Sequence, residues 1–289
     1  MPDVAAQAAE IRRVAISLID GAGSGHPGSC LSAADVIAAL YFQELRPTDR
    51  FVLSKGHACP ALYGALHLRG FFDRATLGSF RRLGGLLQGS PTTSIPGVDA
   101  TCGSLGQGFS IAVGLALGLR RQATSEVSDV SDVSDVSDVS DTGYRVYVML
   151  GDGELQEGQV WESAMAAGHY QLSNLCAIVD YNKMQSDDLN ERIMRLEPLA
   201  DKWRAFNWHV REIDGHALDE IAAGFADARR TTDAPTVVIA HTIKGKGVSY
   251  MEGVPAWHGS VKLKPEETRQ ALVDLGVPVD RHREYAFHG

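Results

Sequence analysis

The run Gly151-Asp152-Gly153-Glu154-Leu155-Gln156-Glu157-Gly158, with Asn182 thirty residues beyond Asp152, carries residue types that can hold a divalent metal and a diphosphate together. Asp152 offers a hard carboxylate oxygen and Asn182 a carboxamide oxygen. Magnesium prefers near-octahedral oxygen coordination and is usually held by one or two protein ligands plus phosphate oxygens. A main-chain carbonyl such as that of Met184 would complete the protein's share. Gly151 and Gly153 let the backbone approach a phosphate, and a helix that follows presents unpaired N–H groups to it. A Gly-Asp-Gly standing alone is an ordinary tight turn, so the elements around it decide between the two readings.

Those elements favour the metal and phosphate. Val146-Tyr147-Val148-Met149-Leu150 is a short apolar run bounded by glycine, which predicts a buried parallel strand. The turn then falls at its carboxyl end, the edge where open α/β sheets bind ligands. A helix is expected from about Glu154 to Tyr170, and Leu175-Cys176-Ala177-Ile178-Val179 as a second buried strand, which returns Asn182 to the same edge. Phe51–Leu53 and Thr236–Ala240 read as further strands, and Ser32-Ala33-Ala34-Asp35 as a helix cap ahead of Val36, Ile37 and Leu40. The fold class expected is α/β, doubly wound, with a mainly parallel sheet and helices on both faces. At 289 residues and 44% apolar composition, the chain can bury one full core. Residues 1–289 are read as a single diphosphate-binding domain.

From about Ile11 to His258 the chain resembles the amino-terminal half of the transketolases, and the GDG-to-Asn182 pattern resembles their thiamine diphosphate motif. Several separate motifs carry the resemblance: Ser24-Gly25-His26-Pro27-Gly28, Ser54-Lys55-Gly56-His57-Ala58, Gly103-Ser104-Leu105-Gly106-Gln107-Gly108 and Trp257-His258-Gly259. It implies that thiamine diphosphate binds with Mg2+, or with Ca2+ or Mn2+ as substitutes. Asp152, Asn182 and Met184 would hold the metal. His57, Gly103, Leu105, Gly151 and Gly153 would join Asp152 and Asn182 around the cofactor. His26, His57 and His258 would surround the reactive ring, orient the sugar and assist proton transfer, work that suits the near-neutral pKa of imidazole. Glu157 matches the glutamate that links paired active sites. His67, His169, His209, His216 and His241 fall in no motif and read as solvated turn residues.

One position departs from the family. Where transketolases carry Gly-His-Pro, this chain has Gly89-Ser90-Pro91. A serine is shorter than histidine and cannot carry positive charge. A water fills the gap, another group binds there, donor use is altered, or the exchange is tolerated and compensated elsewhere. Ser110, Gly114 and Gly118 recur every four residues along the expected helix Phe109–Arg120, a stripe that permits close approach of another backbone. In the Lys244-Gly245-Lys246-Gly247 loop the lysines either approach phosphate or are solvated.

The resemblance implies a second domain whose glutamate activates the pyrimidine, and the residues after His258 are not expected to form one. The expectation is a split transketolase with a separate carboxyl-terminal, pyrimidine-binding subunit, in an α2β2 assembly. It would transfer a two-carbon ketol unit from a ketose to an aldehyde or aldose. Transfer to a lipoyl or carrier-bound thiol and a noncatalytic scaffold are the alternatives. A net charge of −9 disfavours nonspecific nucleic-acid binding. Five of the aspartates sit in five Val-Ser-Asp copies from Val127 to Asp141, within a low-complexity acidic insertion over 123–142. Its composition predicts a weakly ordered loop, either a repeat expansion without function or an acidic calcium or partner site. Cys30, Cys59, Cys102 and Cys176 show no paired metal spacing. The start of the chain lacks an apolar signal core, and no run of about twenty apolar residues occurs anywhere. A cytoplasmic location with no membrane contact is the expectation.

Overall fold

The computed structural model describes residues 3–128, 143–186 and 188–287. Five strands form one sheet among them: β1 (Arg50–Leu53), β2 (Val146–Gly151), β3 (Leu175–Tyr181), β4 (His209–Asp214) and β5 (Thr236–His241). Their order is β1-β2-β3-β5-β4, and every pair is parallel. The helices are α1 (Val4–Ala22), α2 (Pro27–Ala39), α3 (Cys59–Leu68), α4 (Arg74–Leu77), α5 (Gln107–Ser128), α6 (Gly158–His169), α7 (Asn190–Ile193), α8 (Leu199–Ala205), α9 (Leu218–Arg230) and α10 (Pro265–Asp274).

The strand side chains alternate between two separate cores, as a parallel sheet covered on both faces requires. Tyr147, Met149, Cys176, Ile178, Val238 and Ala240 point into a core closed by α1, α2, α3, α9 and α10. Val146, Val148, Leu150, Ala177, Val179, Val237 and Ile239 point into the other, closed by α5, α6 and α8, where Phe109, Trp203 and Trp208 pack edge to face. The four buried strands stand where the apolar runs place them, each longer by one or two residues. β4 carries His209, Arg211, Glu212 and Asp214 exposed, so it offers no apolar run to read. It is an edge strand, and charge along such an edge discourages pairing with other chains.

Three local expectations are corrected. The helix expected over Glu154–Tyr170 is two pieces: a single 3₁₀ turn over Gly153–Gln156, then α6. Glu157 stands between them in extended backbone (φ −73°, ψ 131°), and the carboxylate of Glu154 turns back to the Gly151 N–H. The Ser32–Asp35 cap is not a cap. Helix α2 begins at Pro27, whose ring presets the first helical turn, and Ser32 and Asp35 lie buried inside it. Helix α5 runs past Arg120 to Ser128. The Val-Ser-Asp repeat otherwise lies outside the described residues. Among those residues, no helix is long and apolar enough to cross a membrane.

Candidate active site

The carboxyl ends of β1, β2, β3 and β5 meet at one edge of the sheet, and each feeds a loop into the same cleft. Asp152 follows β2 and is 2% exposed. Its Oδ1 accepts the Gly153 N–H at 2.8 Å and its Oδ2 accepts the Lys183 N–H at 2.5 Å, so one carboxylate joins the loops after β2 and β3. Asn182 is buried in the second loop, with its Oδ1 accepting the Met184 N–H at 3.2 Å. Asp152, Gly151, Gly153, Asn182, Leu105, His57 and His258 line this cleft together with Ser29, Lys55, Gln185 and Ser186.

The three motif histidines converge from distant parts of the chain. His26 precedes α2, His57 lies in the short turn after β1, and His258 follows the turn Pro255–Trp257. Their ring centroids are 5.2 Å (His26–His57), 5.5 Å (His57–His258) and 6.4 Å (His26–His258) apart. An antiparallel bridge between Gly25 and Val261 brings the first and last together, with N–H to carbonyl distances of 3.1 and 2.8 Å. Burial, then neighbouring positive charge, lowers all three pKa values, to about 4 for His26 and about 3 for His258. The imidazoles are therefore neutral at physiological pH, able to accept a proton from a hydroxyl and to donate a hydrogen bond.

Charged groups that the motifs do not single out hold the cleft in shape. Glu154 is 2% exposed and ties three motifs together. Its Oε1 accepts the Gly106 N–H at 2.8 Å and the Ser54 hydroxyl, while Oε2 accepts the Gly151 N–H at 3.0 Å. Lys55 and Asp180 form an ion pair with each side chain only 1% exposed. Lys55 also donates to the Ser29 carbonyl at 3.2 Å, and Asp180 accepts from Ser32 at 2.6 Å and from Thr242. Burial raises the Asp180 pKa, and the Lys55 charge with these hydrogen bonds outweighs that and keeps it ionised. A buried pair of this kind holds only where the remaining polar atoms are also bonded.

The glycine-lysine loop is resolved in favour of the cleft. Lys244 is 1% exposed and donates to His258 Nδ1 and, at 3.3 Å, to the Met184 carbonyl, while Lys246 turns outward toward Glu252. Burial lowers the Lys244 pKa to about 8, and burial with the charge of Asp180 raises that of Asp152 to about 6. The loop is anchored at Ile243, whose N–H donates to His216 Nε2 at 2.8 Å. His216 Nδ1 faces Asp35 Oδ2 at 2.7 Å, and Arg12 holds the other side of that carboxylate. This fixes the tautomer: the proton is on Nδ1, and bare Nε2 receives the loop. His216 is therefore a fastening for the Lys244 loop, contrary to the solvated-turn expectation. Replacing it with alanine removes the acceptor of the Ile243 N–H and the partner of Asp35, at a cost of about 0.5–1.5 kcal/mol. The expected result is a lower urea midpoint, recovered in part by glutamine, whose Oε1 can accept the same N–H. Equal midpoints for all three proteins would dismiss the fastening.

A diphosphate with a hard cation fits these residues. Gln185 Nε2 and His26 Nδ1 are buried without a partner, donors or acceptors aimed at nothing in the protein. A Cβ on Gly153 would lie 2.9 Å from that of Gln185, so only glycine leaves the approach open. Among the described residues no three His, Cys, Asp or Glu side chains cluster as a metal site. The donors are instead one carboxylate, one carboxamide and one main-chain carbonyl, which suits a cation that takes its remaining oxygens from phosphate.

Glu157 and Gly103 do not line this cleft, although the Gly103 Cα lies 3.4 Å from the point a Cβ on Gly56 would occupy, beside His57. Glu157 is exposed, its Cβ 3.3 Å from where one on Gly106 would stand. Gly103 is exposed beside Ser90, whose Oγ is 3.4 Å from the equivalent point on it. The small-residue stripe on α5 meets no close backbone within the chain: nothing among the described residues lies within 4 Å of a Cβ on Gly114 or Gly118. All four cysteines are buried and unpaired.

Fold and site together define an α/β domain with a buried polar cleft at the carboxyl edge of a parallel sheet, beside a ring of neutral imidazoles. Residues 4–285 match the family described as transketolase, thiamine diphosphate binding domain. The 6-deoxy-6-sulfo-D-fructose transketolase subunit SqwG of Clostridium sp. (strain MSTE9) is 42% identical over 283 residues, covering 94% of this chain and 96% of the relative. One of the apulose-4-phosphate transketolase subunits of Phocaeicola vulgatus is 38% identical, covering 95% and 94%. The transketolase structure from Leishmania mexicana superposes with a TM-score of 0.86 at 29% identity over 96% of this chain and 42% of its own. The chain thus spans less than half of that longer protein. It belongs to the transketolase family, as the thiamine diphosphate-binding domain.

Proposed function

We propose that this chain is the amino-terminal subunit of a two-component transketolase, moving a two-carbon ketol unit from a ketose to an aldehyde or aldose. The observation that carries this reading is the meeting of Asp152, Asn182 and the Met184 carbonyl with three neutral imidazoles at one sheet edge. Asp152, Asn182 and Met184 would hold Mg2+, and Lys244 and Gln185 would face the diphosphate oxygens. Bound thiamine diphosphate supplies the ring that stabilises a transferred two-carbon carbanion. His26, His57 and His258 bind the sugar's oxygens and relay protons, each starting uncharged because of its burial.

The pyrimidine half would come from a second chain, in an α2β2 assembly. The two relatives matched over nearly their whole length are both named as subunits, which supports a division of the enzyme between chains. Gly114 and Gly118 on α5 face open space beside exposed Ile111, and this is where we place a neighbouring chain. Glu157, exposed at the start of α6, then reaches across to the paired site. The unpaired cysteines support a reducing, cytoplasmic setting.

The test is reconstitution with a carboxyl-terminal transketolase subunit, thiamine diphosphate and Mg2+. Fructose 6-phosphate or 6-deoxy-6-sulfofructose serves as donor, and an aldose or a lipoylated carrier as acceptor. A two-carbon mass gain on the aldose is expected. Gain on the carrier alone, or cofactor binding without transfer to either, would replace this reading with one of its alternatives.

A further inference from the structure

His216 lies outside the cleft but touches the loop that enters it. It stands between β4 and α9, where its N–H donates to Asp214 Oδ1 at 2.8 Å. The adjoining Gly215 N–H donates to the His241 carbonyl at 2.9 Å, which lays this turn against the loop after β5. That loop has three tethers. Thr242 donates its hydroxyl to Asp180, the partner of Lys55; the Ile243 N–H donates to His216 Nε2 at 2.8 Å; and the Gly245 N–H donates to the Gly28 carbonyl at 3.1 Å. Lys244 sits between the second and third tethers, so the depth of its ammonium in the cleft is set from both sides. A Cβ on Gly28 would fall 2.9 Å from Lys244 Cγ, which leaves the lysine stem little slack.

The position of Lys244 in turn fixes His258. Below its pKa of about 8 the Lys244 side chain is an ammonium, which can only donate, so His258 Nδ1 accepts and the ring proton of His258 is on Nε2. His216 carries the opposite tautomer, with Nδ1 protonated toward Asp35. Its contact to Ile243 is the one tether made by a histidine, and a single proton withdraws it: once Nε2 is protonated, two N–H donors face each other 2.8 Å apart. The charged groups around His216 have both signs. Asp35 of α2, Asp214 of its own turn and Glu220 of α9, which holds the Asp214 N–H at 2.8 Å, are negative. Arg12 of α1, bonded to Asp35 at 3.0 and 2.5 Å, and Lys244 are positive, while His241 of β5 is paired with Glu212 of β4 at 3.0 Å. The His216 side chain is 12% exposed, so water reaches it.

We infer that His216 is a positioning residue for the proposed transfer: through Ile243 it seats Lys244 against His258, and it does so only while its Nε2 is unprotonated. Acidification therefore unseats Lys244 and frees the tautomer of His258, although His258 itself, with a pKa of about 3, gains no proton.

The inference rests on the ketol-transfer reading, so the tautomers are measured on the full chain and turnover on the reconstituted two-chain enzyme. Nitrogen-15 NMR of the histidines should show the proton of His216 on Nδ1 and that of His258 on Nε2, with signals assigned by their loss in His216→Gln and His258→Gln. Acid should move the His258 signals further in wild type than in His216→Gln, where only the shared groups titrate. Transfer from fructose 6-phosphate is then followed from about pH 8 to about pH 5, where imidazoles ordinarily change charge. Asp152, raised to about 6, titrates there in every protein alike, so ratios between variants isolate position 216. Glutamine accepts the Ile243 N–H and takes no proton, so its turnover relative to wild type should rise at least about threefold on acidification. Alanine offers no acceptor at any pH, so its ratio to glutamine should stay low and flat. Should glutamine destabilise the chain, the wild-type tautomers and the response of the Ile243 amide signal to acid carry the decision. A wild-type to glutamine ratio that does not change with pH, or the reverse tautomer on His216, overturns the inference. The expected tautomers and His258 response without two-carbon transfer by any of the proteins would keep the control of Lys244 and His258 and remove the transketolase reading.

Discussion

Asp152→Ala is expected to abolish magnesium-dependent retention of thiamine diphosphate, with an apparent affinity loss of at least about a hundredfold, ~3 kcal/mol. The carboxylate has two duties that alanine cannot share. It is the only anionic oxygen in the proposed donor set, and it receives the Gly153 and Lys183 N–H groups that keep the loops after β2 and β3 in register. A second measurement separates these duties from general damage. Asp152 is the nearest influence holding up the pKa of Lys244, already lowered by burial to about 8. Removing the carboxylate takes away that support, so the amine should titrate lower still, which the pH dependence of the Lys244 side-chain NMR signals would register. Calorimetric titration with and without Mg2+ checks the main effect. Wild-type cofactor affinity in the alanine variant would show that the metal and diphosphate sit elsewhere.

Glu154→Ala should be the most destabilising single change in the site, by about 3–5 kcal/mol in urea unfolding. The substitution strands the Gly106 N–H, the Gly151 N–H and the Ser54 hydroxyl in a region closed to water. Glutamine is the discriminating variant. Its carboxamide keeps one acceptor oxygen but turns an N–H2 toward a donor, so it should fall between wild type and alanine. A midpoint unmoved in alanine would mean the three groups find other partners, and the staple role would be discarded.

The difference between Asp152 and Glu154 marks how far the site was legible in the sequence. Asp152 and Asn182 can be read because apolar runs announce the strands, and a strand's carboxyl end is a place where ligands bind. His26, His57 and His258 can be read only through the motifs around them; nothing local reveals that Gly25 pairs with Val261. Glu154 escapes notice because it looks like the first polar residue of an amphipathic helix, and its service depends on bonds to residues 48 and 100 positions away. Lys55 and Asp180 are invisible for the same reason: each is a charge that only its distant partner makes tolerable in the interior. β4 is hidden by its charged edge, and His216 by a tautomer that two separate chain segments impose. Periodicity reports which faces are buried, whereas electrostatic pairing across the fold leaves no periodic trace.

The bridge between Gly25 and Val261 also makes the cleft depend on a segment that lies outside the sheet. Every strand that bounds the cleft lies ahead of Val261 in the chain, the last of them ending at His241. His26 gains its last imidazole neighbour from this later segment, which no strand of the sheet contains. A released polypeptide cut just short of Val261 would therefore keep every strand of the sheet while its substrate mouth stays unfastened.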